Sequence, residues 1–503
     1  MNHRAVGWLL GCVSLLLAGF LLIPAIIGYI YDEPYAALDF LYSSGVSAVV
    51  GAALILLNRG HTLTTEGKPD YFRREGLAAV GLSWLVVSLL GSLPYIFTGT
   101  MSGVVDAFFE TASGFTTTGS TVLTAEGIEG MSHAVGFWRS FTQWLGGFGI
   151  VMVFVVLFPT GGRSLFRSEI PGITREAGHQ RVRDSALGLM RLYVGMSLIE
   201  FLLLWYLDMT PFDAAVHTFA TISTGGFSTQ AESVAYFMSW KIELVIGFFM
   251  FAAGINFAFY DLAVRTEARR GWNALWKSLE FRVYAGIVFG SVLLIATILW
   301  IWGGGGGASE SGLPDYRHYP QALRDSFFQV ISLQTGTGYA TADYDQWPQF
   351  CRVLLMGLCV IGASAGSTCG GLKVVRLVIV ARAALRGVQA FVRPRAIHEV
   401  KVDGQVLGES VVGAVTGYFV LWILVFVGGV LALSAYGIEL EDAGTAVLAT
   451  LNNVGPGLGR VGPSVNFAGF PDGVKILLSI FMILGRLEFY AVVALFVPGF
   501  WRR

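Results

Sequence analysis

The sequence predicts an all-α integral membrane protein: an N-terminal helix pair, then four tandem units of long helix, short half-helix, irregular loop and returning helix. Three observations carry this. Of 503 residues, 54% are hydrophobic and 13% charged, with a mean hydropathy of +0.64, whereas soluble domains carry about 25% charged residues. Apolar runs of roughly 20 residues recur, each long enough to cross the hydrocarbon core as a helix. Between them, Gly/Thr-rich stretches return at near-equal intervals.

The first apolar run, 8–30, follows a short segment with one arginine and no small-residue cleavage site, so it reads as a retained helix rather than a signal peptide. It pairs with 38–57 to give an unrepeated unit, 1–60. The repeats follow at 75–160, 185–265, 280–390 and 403–503. Their long helices are 77–97, 187–207, 281–302 and 411–435, and their returning helices are 135–158, 240–262, 350–384 and 474–498. The half-helices, 104–113, 211–222, 319–333 and 441–451, carry acids near their starts. At about 10 residues, roughly 15 Å, they are too short to span and must enter and turn back.

After each half-helix comes a glycine-bearing run: "TASGFTTTGST", "FATISTGGFST", "ISLQTGTGYAT" and "LATLNNVGPGL". They align on Gly119, Gly226, Gly338 and Gly455, spaced by 107, 112 and 117 residues. Irregular backbone at membrane depth survives only where it is buried in protein or lines water. Four such loops can meet on one axis, with the negative ends of the half-helices favouring a cation there. The units thus read as M1–P–M2 pore repeats around a central ion pore.

Charge is polarised. Basic residues gather at 59–74, 163–183, 265–282 and 373–401, which the positive-inside rule assigns to the cytoplasm along with both termini. The segments 99–132, 208–236, 303–346 and 436–472 hold only Arg317, Arg324 and Arg460 against 16 acidic residues. This asymmetry serves topology first, but an acidic outer face also concentrates cations. The four cysteines (Cys12, Cys351, Cys359, Cys369) show no CxxC spacing and the seven histidines no HExxH, which points away from a metal or redox site.

A filter for a monovalent cation needs rings of backbone carbonyls and no fixed charge, and glycine turns its carbonyl at little cost. The candidate filter residues are Thr117, Thr118, Gly119 and Ser120; Thr224, Gly225, Gly226 and Phe227; Gly336, Thr337, Gly338 and Tyr339; and Asn453, Val454, Gly455 and Pro456, none of them charged. A single such run is an ordinary membrane loop as readily as a filter; four at matched positions favour the filter. Gly336 is an extra glycine ahead of the filter position, expected to loosen that quarter of the ring.

The third returning helix contains "GASAGSTCGG": Gly362, Ala363, Ser364, Ala365, Gly366, Ser367, Thr368, Cys369, Gly370 and Gly371, followed by Lys373. Glycine costs a helix interior about 1 kcal/mol relative to alanine, so this cluster predicts a break facing the pore. A small-residue packing face is the plainer account. No GK[ST] follows at the spacing of a phosphate loop.

With these motifs on the page, the chain resembles the Trk/Ktr/HKT superfamily of potassium transporters, most of all its bacterial TrkH/TrkG branch. The four glycine loops resemble that family's filters, "GASAGSTCGGLKVVR" its intramembrane gate loop, and "GRLEFY" at 485–490 its arginine-bearing last helix. The resemblance is weakest in the first 60 residues and in the "GGGGG" loop at 303–307. It implies a potassium-uptake subunit of the bacterial inner membrane, preferring potassium over sodium because glycine rather than serine stands at position 119. It also implies a homodimer, a cytoplasmic nucleotide-binding regulatory ring (TrkA-like) docked on the basic face, and a gate formed by 362–371, Lys373 and Arg486. No cofactor is expected in this chain beyond the transported ion, and no nucleic acid; the basic loops also meet anionic lipid. An isolated arginine inside the membrane costs at least about 2.5–3.5 kcal/mol, so Arg486 is expected beneath the filter, against the 362–371 loop, or else snorkelling to the cytoplasmic edge. Glu488 falls on another face, and Arg139 and Lys241 are expected to snorkel or pair with loop acids.

Two rivals remain. A cation-coupled secondary transporter would show inverted repeats and an intramembrane acid, whereas these repeats are parallel and no acid stands out at a shared mid-helix position. A membrane-embedded enzyme would need a catalytic constellation, and His217 beside the second loop has no evident partner.

Overall fold

The computed structural model describes residues 2–59, 71–157, 179–265, 268–303, 316–395 and 398–487, together with 489, 493, 495 and 497–501. Glu488, most of 163–183 and most of the "GGGGG" loop lie outside them. Among the described residues, six helices are long and apolar enough to cross a membrane, or seven if one bent pair counts as a span.

The N-terminal pair is His3–Ile30 and Pro34–Leu57. Asn2 caps the first helix by accepting from the Ala5 N–H at 3.2 Å, and Pro34 opens the second, where its missing N–H costs nothing. Small residues let them approach closely: a Cβ added to Gly11 would stand 2.8 Å from the Gly51 carbonyl oxygen, and one on Gly51 2.9 Å from that of Gly11.

The order helix, half-helix, loop, helix then recurs four times. The first long helix runs Tyr71–Gly91 with a short continuation, Leu93–Phe97; the others are His179–Tyr206, Leu279–Trp302 and Glu409–Ala435. The half-helices are Val104–Phe115, Pro211–Ile222, Tyr319–Thr335 and Leu440–Leu451. Three have an acid in the first turn, where it complements the positive helix end; the third has none there. It also extends two residues past its expected end at 333, taking in Gln334 and Thr335.

The returning helices differ most from expectation. His133–Leu157 is continuous. The second, expected unbroken over 240–262, is two helices, Trp240–Ala253 and Phe257–Arg265, bent by 88°. The cause is local: Gly254 ends the first piece, and the Asn256 side chain accepts from the Ala258 N–H at 2.9 Å to start the next. The third consists of Gln349–Val360 and Val374–Val392 with irregular backbone between. The fourth is Asp472–Arg486, shorter than the expected 474–498. An amphipathic helix, Ala268–Lys277, precedes the third unit. A hairpin pairing Lys401–Val402 with Gln405–Val406 precedes the fourth. Its turn uses left-handed Asp403 and Gly404, the pairing that suits a two-residue hairpin.

Candidate functional site: four loops and a helix break

All four half-helices end in the same way. The Thr118, Gly225, Thr337 and Val454 N–H groups donate to the Ser113, Ala220, Ser332 and Ala449 carbonyls at 2.9, 2.7, 2.9 and 2.9 Å. The preceding residues, Thr117, Thr224, Gly336 and Asn453, donate to Gly114, Thr221, Leu333 and Thr450 at 2.9, 2.9, 3.2 and 3.4 Å. This pair of bonds is the Schellman motif, which requires a left-handed residue just past the helix. Those residues have φ of 53°, 57°, 76° and 54°. Gly336 is therefore no loosening insertion. It is the one loop residue at this position without a side-chain penalty; Asn453 tolerates the same conformation, and the β-branched Thr117 and Thr224 hold it under strain.

Two residues on, Gly119, Gly226, Gly338 and Gly455 are again left-handed, with φ of 83°, 77°, 79° and 97°. Each abuts the next loop in a closed cycle. A Cβ on Gly119 would overlap the Gly225 carbonyl oxygen, one on Gly226 that of Thr337, and one on Gly338 that of Val454, while one on Gly455 would stand 2.8 Å from that of Thr118. The four glycines line one small cavity of about 80 Å³.

Polar ties bind the loops to one another. The Ser120 hydroxyl donates to the Gly455 carbonyl at 3.0 Å, and the Asn453 amide donates to the Thr118 hydroxyl at 2.9 Å. Gln143, on the first returning helix, donates to the Gly225 carbonyl at 2.7 Å and accepts from the Phe227 N–H at 3.1 Å. The Tyr339 hydroxyl faces the His217 and Phe227 carbonyls at 3.2 and 3.4 Å. Pro456 packs against Gly338.

Arg139 does not snorkel. It is buried behind the loops, its Nε donating to Glu110 at 2.7 Å and its Nη1 to the Ser228 carbonyl at 3.0 Å, with the guanidinium 3.8 Å over the Phe227 ring. His217 also has partners: its ring nitrogens lie 2.8 Å from the Asp213 carbonyl and 3.0 Å from the Ser228 hydroxyl.

The break in the third returning helix, residues 361–373, folds back on itself. Gly362 N–H donates to Leu372 at 2.8 Å and Val374 N–H to Ala363 at 3.2 Å. Gly366 and Gly371 are left-handed. The bent second helix receives the break: Ser364 N–H donates to Gly254 at 3.0 Å, and Phe257 N–H to Gly366 at 3.1 Å. Glu280 accepts from the Ala365 N–H at 2.6 Å, and the Ser367 hydroxyl donates back to Ser364. Thr368 donates to the Ile222 carbonyl at the end of the second half-helix at 3.1 Å, and Gly370 packs on Asn452 and Asn453 of the fourth loop. Lys373 donates to the Cys369 carbonyl. Arg486, only 2% exposed, donates to the Thr368 carbonyl at 2.6 Å and approaches that of Gly146 at 3.4 Å.

Residues 46–502 match the family model of TrkH, described as a cation transport protein. This chain belongs to the TrkH family. It is 36% identical, over the full length of both chains, to the Trk system potassium uptake protein TrkH of Escherichia coli. It is 31% identical to TrkG of the same organism, over 85% of this chain and 86% of that one. The crystal structure of the potassium transporter TrkH from Vibrio parahaemolyticus superposes with a TM-score of 0.87 at 34% identity, covering all of both chains. These relatives are transporters, not enzymes, and the chain is a multi-pass membrane protein.

Within this TrkH-family site, sequence reasoning missed Glu110, Gln143 and Glu200. Glu200 is fully buried within the otherwise apolar part of His179–Tyr206, beside Thr221 of the second half-helix. Its signal was plain: an acid in the run "SLIEFLLLW". Gln143 carried none, because its partners lie over 80 residues away.

Proposed function

We propose that this chain is the ion-conducting membrane subunit of a potassium uptake system, selecting potassium and rubidium over sodium. The observation that carries the reading is the closed cycle of four uncharged loops, each with its glycine against the next loop's carbonyl. Left-handed residues at alternate positions turn carbonyl oxygens toward one side of the chain, the arrangement a dehydrated monovalent cation requires. The four tandem pore repeats supply one loop each, at 75–160, 185–265, 280–390 and 403–503. Residues 362–371, with Lys373 and Arg486, form the gate, lodged against the ends of the second and fourth half-helices. The bacterial inner membrane, cytoplasmic termini, a homodimer and a TrkA-like regulatory ring on the basic face complete the proposal.

The test is ion flux into proteoliposomes holding potassium, rubidium, sodium or lithium. Potassium and rubidium should permeate and sodium much less, and Gly119→Ser should admit sodium. No rubidium or potassium flux from well-folded protein would sink the reading. Coupled transport of the same ion has one observation in its favour, the buried carboxyl of Glu200. Coupling requires that flux follow an imposed pH gradient and that Glu200→Gln abolish this dependence.

A further inference from the structure

Nine residues before Gly119, Gly226, Gly338 and Gly455 stand Glu110, His217, Gln329 and Ala446. All four are completely buried on their half-helices. In three, the side chain reaches across to the strand that leaves the filter.

Glu110 accepts from the Val122 N–H at 3.0 Å and from the Thr121 hydroxyl at 2.9 Å. The Gln329 carboxamide faces the Thr341 and Ala342 N–H groups, which can only donate, so its oxygen is assigned to that side, accepting at 2.7 and 3.1 Å. Val122 and Thr341 occupy the same place, three residues past their filter glycines. His217 reaches one residue less far. The Asp213 carbonyl can only accept, so Nδ1 carries a proton, and in the neutral ring Nε2 then accepts from the Ser228 hydroxyl. That hydroxyl oxygen accepts in turn from the Gln230 N–H at 3.0 Å. Ala446 has no polar atom to offer. The fourth strand is held instead by the Tyr344 hydroxyl on the Gly457 carbonyl at 3.1 Å and by Thr445 on Leu458 at 3.2 Å.

The ties of the first two quarters form one chain: Glu110 to Arg139, Arg139 to the Ser228 carbonyl, and the Ser228 hydroxyl to His217. Tyr339 joins the third loop to it through the His217 carbonyl.

We propose that Glu110, His217 and Gln329 are positioning residues that determine ion specificity from behind the filter. A ring of carbonyls discriminates by size only if it cannot close on a smaller ion. A strand bonded to its own half-helix resists that closure, and a strand freed from it does not. Three quarters of the ring are braced from this position; the fourth is braced from the neighbouring residue of its half-helix, Thr445, through the Leu458 carbonyl. The inference rests on the filter reading above and adds residues that never meet the ion.

Rubidium and sodium flux in proteoliposomes tests it on Gln329→Leu, Gln329→Glu and Ser228→Ala. Gln329→Leu removes the accepting oxygen and should lower the rubidium-to-sodium ratio about five- to tenfold, chiefly by raising sodium flux, the scale of one buried hydrogen bond. Gln329→Glu keeps an accepting oxygen and should keep the ratio. Ser228→Ala deletes one small hydroxyl and should lower the ratio in the same direction, which decides the question even where Gln329→Leu folds poorly. An unchanged ratio in Ser228→Ala, or equal loss of both fluxes in monodisperse Gln329→Leu, overturns the bracing role. A wild-type protein without ion preference overturns the filter reading first and the braces with it.

Discussion

The candidate filter residues of the four loops and the break at 361–373 are both glycine-rich irregular backbone inside a membrane protein, yet among the described residues charged side chains bond directly only to the break. Each filter loop is fixed first by its own half-helix through two backbone bonds, then by short ties to its neighbours. The break has backbone bonds of its own to Gly254 and Phe257, and is gripped besides by charged side chains from other elements: Glu280 on the Ala365 N–H, and Arg486 on the Thr368 carbonyl. Lys373 holds the Cys369 carbonyl at its far end. Backbone bonds to a half-helix persist as long as the helix does. Long side chains can release the N–H and carbonyl groups they hold by rotamer changes. Under the proposed function, the contrast fits a filter that keeps one geometry and a gate that has two.

The largest expected effect comes from breaking the rigid part. Gly226→Ala adds a methyl that overlaps the Thr337 carbonyl oxygen, at a φ of 77° that costs a non-glycine residue about 1–3 kcal/mol. Neither penalty can relax without opening the cycle. Rubidium uptake should be abolished while the protein still reaches the membrane; wild-type uptake would show that the glycine cycle is not the conducting element.

Breaking the grip on the second part should do the reverse. Arg486→Ala removes a hydrogen bond from a charged donor, worth about 1.5–3 kcal/mol, together with a positive charge beside the loop. Rubidium flux should rise several-fold, with Arg486→Lys intermediate. Unchanged or lower flux from monodisperse Arg486→Ala would mean that the arginine supports the fold rather than restraining the break.

The two parts were unequally legible in the sequence. The glycines at 119, 226, 338 and 455 stood out because positive φ leaves few alternatives, and near-equal spacing turned four weak signals into one strong one. The break in the third returning helix announced itself through four glycines within ten residues. The 88° bend in the second did not: it needs only Gly254 and an asparagine cap, which soluble and membrane helices alike carry without bending. The restraints were least legible. His217 looked partnerless because Ser228 lies beyond the loop, and Arg139 looked peripheral because its acid, Glu110, is on another helix. Composition and periodicity report which face of a helix is apolar; they do not report which polar group folding brings opposite.

The smallest expected effect sharpens the contrast within the filter itself. Thr117 and Gly336 fill the same helix-ending position, at φ of 53° and 76°. A β-branched residue there is a steric outlier, and among the described residues the buried Thr117 hydroxyl has no hydrogen-bond partner. Both features oppose stability, so Thr117→Gly should raise the thermal unfolding midpoint, by the equivalent of about 1–2 kcal/mol of relieved strain. The strain and the unpartnered hydroxyl fall on a candidate filter residue, and the proposed filter reading assigns that hydroxyl to the ion path. Rubidium flux in Thr117→Gly should accordingly fall about twofold while stability rises, each oxygen of a multi-oxygen site contributing little alone. A lower unfolding midpoint would refute the strain argument, and unchanged flux would leave the hydroxyl with no part in conduction.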